Sequence, residues 1–275
     1  SRSTVIPMDS LRVPMPTVDD TSHASNVYGG VTAYWAAEGA AATASEASFG
    51  QVVLEASKLI AYAIVPNELL ADSIVSFETF INTRFPQAVA WFEDIAFLQG
   101  NGAGQPLGVL NGSGVISVAK ESNQVADTVV WENIVKMYAR MLPESLGRAV
   151  WVVNHNLFPE LATMALSVGT GGSAIWLNNG ADGPPMTILG RPVITTEKVP
   201  TLGDAGDINF IDFSHYLVGD RQVMSARSSE HIAFNTDSTA FRITQRVDGK
   251  PWVTTAITPY AGDTLSPYVS LAERA

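Results

Sequence analysis

Cysteine is absent from the 275-residue sequence, which excludes disulfides, thiolate metal sites and a disulfide-stapled secreted domain. Charge is scarce too. Charged residues make up 16% of the chain, against a usual share of roughly 25%, while hydrophobic residues make up 46%. A chain so poor in charge has either a very large core or an outside that other subunits cover, and the second is the expectation here. No stretch approaches the ~18 continuous apolar residues of a membrane-crossing helix. The two long uncharged stretches, 95–119 and 161–181, are both interrupted by Gly and Asn. Basic residues are outnumbered 16 to 27, a net charge of −11, which disfavours sequence-independent binding to phosphate backbones. Any nucleic acid associated with this chain is expected to be contained, not wrapped.

Catalytic signatures are missing as well. No Gly-x-Ser-x-Gly elbow occurs. Gly100-x-Gly102-x-Gly104 follows a helical pattern and precedes Pro106, whereas a dinucleotide loop needs a strand before it and a helix after it. A tight turn at a helix end is the better reading. Gly169 to Ser173 (GTGGS) lacks the Lys-Ser/Thr ending of a phosphate loop and reads as a polar loop. The four histidines, His23, His155, His215 and His231, are widely spaced and none has a second His at metal-ligand spacing. Asp204 and Asp207 flank a glycine turn without the further oxygens of a calcium loop. Asn111-Gly112-Ser113 matches a glycosylation acceptor, a short pattern with many chance matches. A pair of carboxylates for hydrolysis leaves no local signature. We therefore assign no catalytic, cofactor-binding or metal-ligating residue, expect no cofactor, and expect no enzyme activity.

What is present is an α+β pattern without internal repeats. Residues 1–28, with Pro7, Pro14 and Pro16, lack any period and read as an extended arm. Val31, Ala33 and Trp35 alternate with polar or aromatic neighbours, residues 39–48 are small, and alternation resumes from Gln51 to Pro66. That predicts a long β-hairpin with an unanchored tip. Ile74, Phe77, Ile81, Phe85, Ala88, Phe92 and Ile95 recur at steps of three and four, predicting a helix over 74–99, capped by Asp72 or Ser73 and kinked, not broken, at Pro86. Further helices are expected near 129–142 and 157–168. Strands are expected at 149–153, 186–189, 192–195, 208–212, 216–218, across 221–247 and at 253–257, before a short tail.

From Ser45 the chain reads SEASFGQVVLEASKLIAYAIVPNELLADS, then FETFINTRFPQAVAWFEDIAFLQ, then GNGAGQPLGVL. This order resembles the major capsid proteins of tailed bacteriophages with the Hong Kong 97-type fold, in which a long helix ends on a Gly-Asn/Asp-Gly-x-Gly turn followed by Pro-Leu-Gly-like residues. The later ITQRVDGKPWVTTAI is similar to that family's closing strands. The resemblance implies an N-terminal arm at 1–28 and an E-loop hairpin at 29–65 lying across a neighbour. It implies a P-domain with its spine helix at 66–124, an A-domain at 125–220, and a return to the P-domain with a C-terminal tail at 221–275. It implies self-assembly into pentamers and hexamers of an icosahedral virion head, put together in the host bacterial cytoplasm around double-stranded DNA that is not bound specifically. A portal protein and a cement or decoration protein are the expected partners, with no membrane.

The resemblance also implies a precursor trimmed just before Ser1. The alternatives are an encapsulin-type nanocompartment, whose members begin with a helix where this chain is broken by proline, and a hydrolase. Some relatives cross-link an E-loop lysine to a P-domain asparagine beside a glutamate. Here Gln51 stands at the lysine's place, Lys58 lies farther along the strand, Asp237–Thr239 contains no asparagine although Asn235 is close, and Gln245–Arg246 supplies no carboxylate. A shell without isopeptide bonds is expected.

Overall fold

The computed structural model describes residues 2–18, 21–23, 27–31, 33–39, 41, 44–46, 48–72, 77–168, 171–174 and 186–274. The first part of the chain forms β1 (Thr4–Pro7), β2 (Arg12–Val18), β3 (Phe49–Glu55), β4 (Ser57–Pro66), α1 (Asn67–Asp72) and α2 (Phe77–Gln99). The middle forms β5 (Ile116–Val118), α3 (Trp131–Ala139), β6 (Val150–Asn154), α4 (Phe158–Thr163), β7 (Ala165–Val168), β8 (Gly171–Ala174), β9 (Thr187–Ile188) and β10 (Arg191–Thr196). β11 (Ile208–Ile211), β12 (Tyr216–Ala233), β13 (Ser238–Pro251) and β14 (Tyr268–Leu271) complete it.

The six-stranded sheet, in the order β5-β14-β11-β6-β10-β9, carries the larger core. β6 reads Val-Trp-Val-Val because both of its faces are covered. Trp151 and Val153 point to one core with Ile134 and Met137 of α3 and Leu161 of α4. Val150 and Val152 point to a second core with Ile211, Tyr216, Val218, Val247 and Tyr268, flanked by Phe97 and Leu98. The Trp151 ring stacks on Phe210 at 4.2 Å, and its Nε1–H donates to the Ile188 carbonyl at 3.0 Å. The buried indole N–H is therefore paired.

The four-stranded sheet runs β1-β12-β13-β4. The long β12–β13 hairpin bulges between Asp220 and Gln222 and again between Gln222 and Ser225. α2 lies against β4 and β13 and passes unbroken through Pro86.

Several local expectations change. Residues 33–38 form no strand; β3 instead pairs with β2, Met15 opposite Val52. The arm thus supplies two strands, because β1 also joins β12 in parallel. Pro14 and Pro16 are tolerated since β2 sits in a two-stranded ribbon where each strand is an edge. Asp72 is the last residue of α1; its side chain and residues 73–76, where the expected cap would act, lie outside the described residues. On α2 the expected stripe is displaced. Ala88 and Phe92 are exposed, and Val89 is the buried residue. α3 and α4 are shorter than expected, and β7 with β8 forms a hairpin where helix and loop were expected. Residues 253–257 form no strand; the closing strand is β14, between β5 and β11. All four of its residues are buried.

Candidate assembly surfaces

The glycine-rich turn after α2 is a backbone crossing. Gly108 N–H donates to the Gly100 carbonyl at 2.8 Å, and Leu107 N–H to the Gly249 carbonyl at 2.8 Å. A Cβ on Gly100 would sit 2.2 Å from the Pro106 carbonyl oxygen, and one on Gly108 2.5 Å from the Gly100 nitrogen. Only glycine fits at either place. Asn111 Nδ2 donates to the Gln99 carbonyl at 2.7 Å and the Gly100 carbonyl at 3.1 Å, closing the end of the helix. The amide read from sequence as a glycosylation acceptor is thus already engaged with the end of α2.

The ionisable groups are arranged to hold segments together. Arg274 is fully buried and forks onto Asp207, while its Nε donates to the Thr128 carbonyl at 2.7 Å. Asp207 also accepts from Gly203 N–H at 3.0 Å and Ile208 N–H at 2.8 Å. Burial pushes its carboxyl up from the ordinary value, and Arg274 pulls it back. Asp204 is exposed and accepts from the Thr201 hydroxyl, so the two carboxylates read as a turn pair have separate structural partners. Asp212 accepts from Ser214 and pairs with Arg148 at 3.3 Å. Burial works to raise its carboxyl, but the hydrogen bonds from Ser214 and the neighbouring His215 hold it below the usual range. His215 is pushed down by burial although Asp212 opposes this.

His155 and His231 are exposed on a turn and on β12, and His23 N–H bonds to the Thr258 carbonyl. No group of three or more His, Asp or Glu suited to a metal ion occurs among the described residues. Glu93, Asp94 and Asp220 meet around an open hollow under β1. Burial raises the Glu93 carboxyl, with Asp94 and Asp220 adding to the effect, and Lys198 binds Asp94 at 2.5 Å.

The β2–β3 ribbon leaves the body at Ala56, and β13 holds its root with two side chains. Asp248 accepts Glu55 N–H at 2.6 Å, and Lys250 Nζ donates to the Val53 carbonyl at 2.7 Å. These bonds stand where ladder bonds would have continued from the Ser57–Val247 pair. Met8, Leu54, Ala56 and Leu217 form a small core beneath the root. Beyond it, among the described residues, apolar side chains stand outside every buried cluster. Trp35 is fully exposed, and Val31, Tyr34 and Phe49 are largely so, as are Phe80 and Phe92 on α2. The positions relevant to cross-linking are scattered. Gln51 pairs with Pro16, and Lys58 lies opposite Arg246. Asn67, which sequence reading missed, donates to Asp237 at 2.7 Å and accepts from Thr239 at 2.6 Å.

Residues 2–262 match the family described as "Phage capsid family". The chain belongs to that family. It is 27% identical over 237 residues to the "Capsid polyprotein" of Pseudomonas phage PAJU2, covering 82% of this chain and 33% of that protein. It thus spans about a third of that relative's length. Among solved structures, the capsid of a native GTA particle superposes with a TM-score of 0.79 at 21% identity, over 99% of this chain and 88% of the other. The chain from Gordonia phage Cozz gives 0.69 at 14%, over 100% and 85%, and that from Mycobacterium phage Adephagia 0.66 at 15%, over 98% and 88%. The fold is the Hong Kong 97-type α+β capsid fold. This phage capsid protein is a virion structural protein, as its uncovered apolar surface suggested.

Proposed function

We propose that this chain is the major head subunit of a tailed phage, closing pentamers and hexamers into an icosahedral shell around double-stranded DNA. The observation that carries the reading is where the apolar surface lies. Trp35, Phe49, Val31 and Tyr34 are exposed and belong to no buried cluster among the described residues, so in this reading neighbours cover them. In this reading residues 1–28 are the arm, 29–65 the E-loop, 66–124 and 221–275 the P-domain with its tail, and 125–220 the A-domain, whose sheet β5 and β14 extend. The solved GTA capsid computed with C5 symmetry supports five-fold assembly. The polyprotein relative, of which this chain matches only 33%, supports synthesis as a longer precursor. A net charge of −11 suits a container that touches DNA weakly. A portal at one vertex, a decoration protein and assembly in the bacterial cytoplasm belong to the same proposal, which assigns the subunit no catalytic role.

Shell closure in this reading is non-covalent, since Gln51 stands at the nucleophile's place and the E-loop's one lysine, Lys58, lies seven residues farther on, in β4 opposite Arg246. Boiled particles in SDS should run as one band at 29.3 kDa, without a ladder.

The deciding experiment is negative-stain imaging with a nuclease-protection assay on particles purified from infected cells. Closed shells holding protected DNA are expected. Discrete small oligomers would overturn the reading, and shells holding protein without DNA would replace it with a nanocompartment.

A further inference from the structure

We propose that Asn101 is a site of spontaneous, one-way covalent modification, in which the side-chain amide is lost and a carboxylate takes its place. Among the described residues two asparagines precede a glycine, Asn101-Gly102 and Asn111-Gly112; Asn179-Gly180 lies outside them. A glycine has no side chain to shield its own nitrogen. At Asn101 the Gly102 nitrogen attacks Cγ and closes a five-membered imide ring. A C–N bond forms, the Cγ–Nδ2 bond breaks, and Nδ2 leaves as ammonia with the proton that the Gly102 nitrogen gives up. Water then opens the ring at either carbonyl. One opening leaves aspartate; the other leaves isoaspartate, with the main chain rerouted through the former side chain. Water is the only co-reactant.

The fold treats the two asparagines in opposite ways. Asn101 Oδ1 accepts from Ala103 N–H at 3.0 Å and from Gln105 Nε2 at 2.8 Å. Both donors draw electron density away from Cγ and stand ready for the negative charge that gathers on Oδ1 as the ring closes. Asn101 Nδ2 has no partner among the described residues, so nothing holds the leaving group. The attacking nitrogen is loosely engaged, since Gly102 N–H reaches the Pro106 carbonyl only at 3.3 Å. Residues 101–105 are all exposed, so water reaches the ring. At Asn111 it is the leaving nitrogen that is pinned, by bonds to the Gln99 and Gly100 carbonyls at 2.7 and 3.1 Å. No donor polarises the Asn111 Oδ1 among the described residues, and Gly112 beside it is buried.

The product matters because of where the turn stands. Asn101 bridges to Leu107, whose N–H bonds to the Gly249 carbonyl of β13 at 2.8 Å. Aspartate keeps both hydrogen bonds and strengthens them by its charge. It also sets a negative charge just beyond the C-terminus of α2, where the helix dipole opposes it. Isoaspartate lengthens the main chain inside that bridge. The change accumulates with the age of the protein and acts on the joint between α2 and β13.

The test incubates the folded protein in mildly alkaline heavy-oxygen water, which leaves its oxygen in each new carboxyl. Digestion in ordinary water then gives one tryptic fragment, Phe85–Lys120, that carries both asparagines, and tandem mass spectrometry reads each position. Asn101 should convert about tenfold faster than Asn111 or more, while in urea the two rates should come together. Gln105→Ala should slow Asn101 several-fold in the folded protein and leave its rate in urea unchanged. Equal rates in the folded protein, conversion only in urea, or a Gln105→Ala rate that is unchanged or raised would each overturn the proposal. The comparison of the two positions needs no variant, so it stands even if Gln105→Ala does not fold.

Discussion

The two main sheets solve the same burial problem differently. The six-stranded sheet is covered on both faces by its own chain: α3 and α4 on one side, α2 and the base of β12 and β13 on the other. The four-stranded sheet is covered on one face and over one end of the second, and its ribbon projects with almost no core beneath it. Burial of apolar area is the main favourable contribution to folding. The first region is therefore where the stability of a single subunit resides. The second is where assembly supplies what the chain lacks.

Substitutions should separate the two regions. In the six-stranded sheet, Trp151→Ala removes the largest fully buried side chain and should cost about 3–5 kcal/mol in denaturant unfolding of the subunit. Arg274→Met should cost a similar amount, about 3–5 kcal/mol, by leaving Asp207 buried and unpaired. Combining it with Asp207→Leu should recover much of that loss in the same measurement. If both single substitutions leave the unfolding midpoint unchanged, the stable core lies elsewhere.

The ribbon root should respond less and more locally. Asp248→Asn turns an amide NH2 toward a backbone N–H and should cost about 1.5–3 kcal/mol. Hydrogen exchange should accelerate at Glu55 while the β6 amides keep their protection. Uniform loss across β6 and β3 would mean that the ribbon is not a separable unit. Trp35→Ser should change subunit stability by less than about 0.5 kcal/mol, yet sharply reduce closed particles in electron micrographs. Normal yields from that variant would remove the asymmetry between the regions.

The smallest effect is a pH dependence at His215. Its folded pKa lies below the ordinary value, so the unfolded chain binds the proton more readily. Stability is full above about pH 6.5 and declines as pH falls from there toward the depressed folded value. His215→Gln should flatten that decline in urea titrations across the same range.

How much of this was legible follows from how local each signal is. The GNGAGQPLG turn was readable because its glycines answer to one backbone crossing. β6 was readable because four apolar residues in a row report two covered faces. β14 was missed: four residues are too few to show a period, and their burial depends on β5 and β11, which lie far away in sequence. The α2 stripe was misplaced because the helix is apolar on more than one side, and only packing decides whether Val89 or Phe92 turns inward.

The sequence by itself determined the fold class, the family and the absence of thiol chemistry, since composition and motif order are properties of the chain alone. It also foretold that apolar surface would be left over, because 16% charge cannot cloak an outside. Only the tertiary structure decided strand partners and faces. β3 pairs with β2 and not with residues 33–38. Arg227 and Arg242 come together from positions 15 residues apart. Arg274 finds Asp207 across 67 residues. Register in a sheet is set by which surfaces remain to be buried once all the strands are in place, and no single stretch of sequence carries that information.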